Sequence, residues 1–147
     1  MTNIEEAKIK WINYNNYIIS RFFSDKKESN TKIEKQIEML NIFSSRYLIE
    51  YQSDLEEDPD NVDDGIITID TVTWIYIQSF LWRWYIQEIE GVSEEDIRNF
   101  IKLFSVFFTY LRDNKIYKKG KTQVNKILKK LENEKKFIKR IKDYIKI

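Results

Sequence analysis

The stretch that decides the fold is IITIDTVTWIYIQSFLWRWYIQEIE, residues 66–90. Its first half, residues 66–77, is nearly all β-branched or aromatic, which favours a strand locally. No second segment offers itself as a pairing partner, however, and a lone strand leaves its backbone groups unpaired. We therefore predict a helix over residues 70–90, with Asp70 as its N-cap and Gly91 as a left-handed residue at its C-terminal end. A short strand that pairs only within a dimer is the alternative.

This predicted helix is apolar on nearly all of its faces, which is typical of a helix that is buried on most sides. We expect it to be the central helix of the fold. Not all of its aromatic side chains can face one core, so some are candidates for contact with a partner. The candidate partner contacts are Trp74, Trp82, Trp84 and Tyr85. A pure core role is one alternative, and a platform for base stacking or a small ligand is another.

The other helices are predicted from their starts and their periodicity. A hydroxyl and a carboxyl side chain three residues apart mark three starts: Thr2 and Glu5, Thr31 and Glu34, Ser93 and Asp96. Apolar residues at three- and four-residue spacing follow each start, and they also follow Thr122, a fourth candidate N-cap. The predicted helices are 3–23, 32–53, 70–90, 94–112 and 123–145.

The fold class predicted from these helices is all-α, a single-domain bundle of about five helices with the aromatic-rich helix at its centre. The chain has 147 residues, a length that suits one domain over 1–147. The last helix could instead project and form a coiled-coil seam. Because Glu134 interrupts one row of that seam, we favour packing of the last helix on the bundle.

Composition excludes many kinds of active site. The chain has no Cys and no His, so it has no disulfide, no thiolate nucleophile, no imidazole metal ligand and no Ser-His-Asp triad. It also lacks the glycine-rich phosphate loops and the G-x-S-x-G nucleophile motif. Its carboxylate pairs have no oxyanion donor or nucleophile assigned to them. We expect a protein that is not an enzyme and that needs no cofactor.

Targeting signals are the basis of the expected location. The N-terminus is acidic and is not followed by the apolar segment of a signal peptide. The longest uncharged run, between Asp70 and Arg83, has 12 residues, whereas a spanning helix needs about 20. We expect a soluble, intracellular protein of the cytoplasm.

Charge is strongly segregated along the chain. Residues 112–147 hold 14 basic and 4 acidic residues, a net charge of +10, and residues 1–111 have a net charge of −9. In the simpler reading, the basic last helix packs near acidic parts of the bundle and the charges offset each other. In the other reading, the basic residues form a face for an external polyanion. The candidate polyanion-binding residues are Lys118, Lys119, Lys121, Lys126, Lys129, Lys130, Lys136, Lys139 and Arg140.

The acidic segment 54–65 resembles a calcium-binding loop in its composition. Oxygen-rich loops suit hard cations, but the register of a calcium loop fails here. With Gly65 at the sixth loop position, the third position is Val62 and the twelfth is Thr71, which lacks the required acid. We therefore predict a solvated loop and no metal site.

Residues 93–118 resemble a helix pattern in the N-terminal, DNA-clamping domain of tyrosine recombinases. The resemblance rests on Phe104, Phe107, Phe108, Leu111 and the run Asn114-Lys115-Ile116-Tyr117. The chain has no His and is too short for the catalytic domain of that family, so no function is transferred from it.

Two functional hypotheses follow. The first is a non-enzymatic interaction protein that associates with itself or serves as a small subunit of a protein complex. The second is sequence-independent binding to a nucleic-acid backbone through the basic C-terminal helix. Because lysine outnumbers arginine there, backbone contact is favoured over the reading of bases.

Overall fold

The computed structural model describes residues 3–24, 26, 30–50 and 67–145, and it describes only the backbone of residues 3, 4, 135–137 and 139–145. Every regular element in these ranges is helical, which confirms the predicted all-α class with five helices. The alternative of a strand is wrong for the part of its range that is described, because residues 67–73 form a turn and coil before a helix begins. The helices group into two compact units, Met1–Thr71 and Val72–Ile147.

The first unit contains two helices that pack against each other. Helix α1 is Asn3–Ser24. Helix α2 comprises Asn30–Asn41 and continues through a π-helical stretch, Ile42–Tyr47, to residue 50. Thr31 already has helical backbone as the second residue of α2, so its prediction as the N-cap is wrong. The cap predicted at Thr2, the end of the second helix and the acidic segment 54–65 lie outside the described residues.

The core of the first unit is built from one apolar stripe on each helix. The buried apolar residues include Ile18, Ile19, Phe22 and Phe23 from α1, with Leu40, Phe43, Tyr47 and Leu48 from α2. In the π-helical stretch the amide of Leu48 donates to the carbonyl oxygen of Phe43, five residues back. The rings of Phe43 and Tyr47 stack there with centroids 5.8 Å apart.

The second unit contains three helices. Helix α3 comprises Trp74–Ser79, a π-helical stretch Phe80–Trp84, and a final turn Tyr85–Glu88. Helix α4 is Glu94–Asp113, and helix α5 is Lys121–Ile145. Ser93 and Asp96 form the predicted capping box of α4: the Asp96 amide donates to Ser93 Oγ at 3.2 Å, and the Ser93 amide donates to Asp96 Oδ2 at 2.9 Å.

Helix α3 begins four residues later than predicted, because Asp70 belongs to a turn before the helix and its carboxyl bonds other side chains. Thr68 to Thr71 form a turn, in which the Thr71 amide donates to the Thr68 carbonyl oxygen at 3.0 Å. The Asp70 carboxyl accepts hydrogen bonds from the hydroxyls of Thr68 and Tyr14. The N-cap of α3 is Thr73 instead, with extended backbone. Gly91 is left-handed as predicted, with φ +78°, and lies two residues past the C-cap Ile89.

Aromatic rings from α3 and α4 form the core of the second unit. In the π-helical turn the Tyr85 amide donates to the Phe80 carbonyl oxygen, and the Tyr85 ring stacks on the Phe80 ring with centroids 5.4 Å apart. Phe80 also contacts Phe100 edge-on at 5.1 Å. The predicted aromatic cluster is therefore present: Trp74, Phe80 and Tyr85 are buried, whereas Tyr76, Trp82 and Trp84 are half-buried.

Helix α5 packs on this core along one stripe, as predicted. The buried residues of that stripe are Val124, Ile127, Leu131 and Ile138. The helix begins at Lys121, and the Val124 amide donates to the Gly120 carbonyl oxygen at 3.3 Å. Gly120 therefore occupies the N-cap position, and the prediction of Thr122 as N-cap is wrong. Among the described residues, no helix is both long enough and apolar enough to cross a membrane.

Candidate functional site

The basic residues are concentrated where α4 turns into α5, and the turn has a defined C-terminal cap. The amide of Ile116 donates to the Leu111 carbonyl oxygen at 2.8 Å, and the amide of Lys115 donates to the Arg112 carbonyl oxygen at 3.2 Å. This pair of hydrogen bonds is the Schellman motif, which requires a left-handed residue after the helix. Lys115 supplies it with φ 56°, although glycine is the usual residue there.

Two further side chains fix this corner. Arg112 donates from Nε to Asp113 Oδ1 and from Nη1 to Asn125 Oδ1, both at 3.0 Å, so it ties α4 to α5. Tyr117 is buried, and its hydroxyl donates to the Val72 carbonyl oxygen at 2.7 Å. The corner is thus held by hydrogen bonds to both of its helices and to the segment before α3.

An open cleft of about 550 Å³ lies at the corner. Its lining includes three cationic side chains, those of Arg112, Lys115 and Lys121, and one acidic side chain, Asp113, which is already bonded to Arg112. The first turn of α5 contains no acidic residue. Because the first amides of a helix lack intrahelical acceptors and carry partial positive charge, the helix start adds to the positive field of the cleft.

Beyond the cleft, a row of lysines continues along α5. Lys126, Lys129 and Lys130 are exposed, and their spacing of three and four residues makes them neighbours on the helix surface. They lie on the side of α5 away from the buried stripe. We call the corner and this row together the basic surface, which comprises Arg112, Lys115, Lys118, Lys119, Lys121, Lys126, Lys129 and Lys130.

Most of the basic surface is not neutralised by direct contact. Within the residues that the structure describes, six of its exposed lysines form no ion pair: Lys115, Lys119, Lys121, Lys126, Lys129 and Lys130. Among the residues of α5 whose side chains the structure describes, the acidic ones are Glu132, which is exposed, and Glu134, which is half-buried. The local charge therefore remains strongly positive.

The structure describes six of the nine predicted polyanion-binding side chains, and all six are exposed on this surface. The side chains of Lys136, Lys139 and Arg140 lie outside the described residues. Arg112 and Lys115 were not among the predicted residues. Their part in the cleft depends on the left-handed cap, and the sequence carries no glycine at that position to signal it.

The predicted partner contacts divide into two pairs. Trp74 and Tyr85 are buried in this chain, at 8% and 7% exposure, whereas Trp82 and Trp84 are half-buried. Burial raises the pKa of Tyr85 to about 12, and the nearby negative charge of Asp96 adds to the rise. Contact with a partner through these four residues stays a prediction, and Trp82 and Trp84 have the larger exposed area.

A second polar cluster, in the first unit, was not predicted. Asp70 and Asn15 are fully buried, and Asn15 Oδ1 accepts the backbone amide of Ile69 at 2.9 Å. The Nδ2 atom of Asn15 has no hydrogen-bond partner among the described residues. The cluster holds the turn after the acidic segment against α1. Among the described residues, no group of three or more Asp or Glu side chains could hold a metal ion.

Comparison with known proteins gives no family for the chain. No protein-family model matches it, and no curated protein or solved structure is significantly similar to it, so the resemblance of residues 93–118 to a recombinase domain has no family match behind it.

Proposed function

We propose that the basic surface binds the phosphate backbone of a nucleic acid, without reading its sequence and without a catalytic step. The observation that carries this proposal is the set of exposed lysines that no described acidic side chain neutralises. Neutralising phosphates with such lysines releases condensed counterions, which drives binding of this kind. A cytoplasmic location belongs to the same proposal.

The chemistry of the cations supports contact with phosphates over contact with base edges. Specific contacts in the major groove most often come from the planar fork of arginine. The one arginine of the basic surface, Arg112, already bonds Asp113 and Asn125. The remaining cations are lysines, which act as point charges on flexible stems.

Self-association, the first hypothesis from the sequence, is the second candidate. It is supported by the outer side of α3, where Ile75 is 66% exposed and Trp82 is half-buried. It ranks second because two of the four aromatic contacts that it relied on are interior. Light scattering on the parent chain and on an Ile75→Asp variant tests it: a dimer that dissociates in the variant supports it, and a monomer in both removes it.

Charge reversal on the lysine row tests the leading proposal. A variant with Lys126→Glu, Lys129→Glu and Lys130→Glu is titrated against fluorescein-labelled DNA of mixed sequence, offered both as duplex and as single strand. We expect fluorescence anisotropy to show affinity at least about tenfold weaker than that of the parent chain.

The matched control carries the same three changes at exposed lysines outside the basic surface: Lys10→Glu, Lys35→Glu and Lys102→Glu. Both variants change the net charge equally, so a difference between them reports position, because distant exposed charges are screened by salt. We expect the control to remain within about threefold of the parent chain. Equal loss in both variants, or no DNA binding by the parent chain, would refute the proposal.

A further inference from the structure

We infer that the nucleic acid bound by the basic surface is a duplex, and that a single strand of the same sequence binds more weakly. This inference rests on the proposed function and adds the class of ligand. It follows from what surrounds the lysines.

The basic surface lacks the side chains on which single-strand binders depend. Proteins that bind single strands without sequence preference stack bases on aromatic rings, and each stacked base raises the affinity by about five- to 150-fold. Residues 118–136, which contain most of the basic surface, include no Phe, Tyr or Trp. An unstacked base would therefore find no aromatic ring of this stretch to stack on.

The aromatic and arginine side chains at the edge of the surface are already engaged. Tyr117 is 9% exposed, with its ring against Phe108 at 6.4 Å and its hydroxyl bonded to Val72. The guanidinium of Arg112 could stack on a base, but it is held between Asp113 and Asn125. Tyr117 cannot present its ring to a base without losing these contacts. The hydrogen bonds of Arg112 lie in the plane of its guanidinium, so Arg112 is a single group that could still stack on a base.

What the surface does present is a regular row of cations. Lys126, Lys129 and Lys130 are adjacent on one exposed side of α5. A duplex carries about one charge per 1.7 Å of its axis, roughly twice the density of either strand. Each neutralised phosphate also contributes a salt slope of about 0.9 on duplex DNA, against about 0.7 on a single strand. A surface that binds by charge alone should therefore bind a duplex more tightly than a single strand.

The test compares one labelled DNA sequence as a duplex and as a single strand, with the full chain, over the same series of salt concentrations. We expect the duplex to bind at least about fivefold more tightly, with the steeper salt dependence. A single strand that binds as tightly as the duplex, or more tightly, overturns the inference and leaves the proposed function standing. Binding to neither form overturns both.

A gain-of-function variant tests the reason for the preference. Gln123 is exposed and lies three residues before Lys126, on the same side of α5. Gln123→Trp supplies a stacking ring, and Gln123→Leu supplies apolar area without one. We expect the Trp variant alone to raise single-strand affinity, by about fivefold, and to narrow the gap to the duplex. An unchanged difference in affinity between duplex and single strand in the Trp variant would contradict the lack of stacking rings as the reason for the preference.

Discussion

The hydroxyl of Tyr117 donates a 2.7 Å hydrogen bond to the backbone carbonyl oxygen of Val72, a residue 45 positions earlier in the chain. Both groups are buried, so the bond fixes the turn between α4 and α5 to the segment that precedes α3. The position of the basic cleft at this turn is therefore fixed by contacts within its own unit.

Replacing Tyr117 with Phe tests whether this bond holds the corner. Tyr117→Phe keeps the ring and leaves the Val72 carbonyl oxygen buried without this donor. We expect the free energy of unfolding in urea to fall by about 1–3 kcal/mol. Tyr17→Phe is the control, because Tyr17 is 59% exposed and its change should stay within about 0.5 kcal/mol. Similar losses in the two variants would show that the bond contributes nothing.

Replacing Lys115 with Gly should raise the stability of the chain and weaken its binding to DNA. Its left-handed backbone is costly for a residue with a Cβ atom, so Lys115→Gly should raise the free energy of unfolding by about 0.5–1 kcal/mol. The same change removes one cation from the cleft and should reduce the salt slope of duplex binding by about one.

Gly120→Ala is the companion of this variant, because Gly120 is also left-handed, with φ +92°. Alanine at that position is strained, so we expect a loss of stability of about 1 kcal/mol, measured by the same urea titration. Destabilisation by Lys115→Gly, or tolerance of Gly120→Ala, would contradict the geometry described for the corner.

Tyr85 makes stability depend on pH in the alkaline range. Its pKa is raised by burial to about 12 in the folded chain, whereas the unfolded value is near 10. The folded state holds the proton more tightly, so this contribution is complete below pH 10 and is lost as the pH rises from about 10 to 12. The unfolding free energy of the parent chain should therefore fall over that range relative to that of Tyr85→Phe. Parallel stability curves would show that the pKa of Tyr85 is not raised.

The hydroxyl of Tyr14 and the carboxyl of Asp70 should be coupled energetically. The two groups are hydrogen bonded and Asp70 is fully buried. We test this with a double-mutant cycle of Tyr14→Phe and Asp70→Ala. We expect the double variant to lose less unfolding free energy than the sum of the two single losses, by at least about 1 kcal/mol. Additive losses would mean that the hydrogen bond makes no contribution of its own.

Local patterns predicted most of the helices because their signals are short-range. The capping box of Ser93 and Asp96 lies within four residues, and the stripe from Val124 to Ile138 follows helical spacing. Both features could therefore be read directly from neighbouring residues. The exposed lysines of α5 were predictable for the same reason, because the apolar stripe leaves them on the opposite side.

Features that depend on distant residues could not be predicted in this way. Asp70 was predicted to be an N-cap, but its carboxyl accepts a hydrogen bond from Tyr14, 56 residues earlier in the chain. Its side chain therefore does not cap the helix, which begins at Trp74. The π-helical turn at Phe80 has no short sequence signal, and it is this turn that places the Tyr85 ring over Phe80 in the interior. The prediction that Tyr85 contacts a partner was made without that information.

The salt dependence of DNA binding tests the proposed function most directly. The affinity for a mixed-sequence duplex is measured by anisotropy over a series of salt concentrations, for the parent chain and for a variant with Lys126→Gln, Lys129→Gln and Lys130→Gln. We expect the logarithm of the association constant of the parent chain to fall linearly with the logarithm of salt concentration, and the slope of the variant to be shallower by about 0.9 for each lysine. Affinity that does not respond to salt, or slopes that agree between the two proteins, would contradict binding through the basic surface.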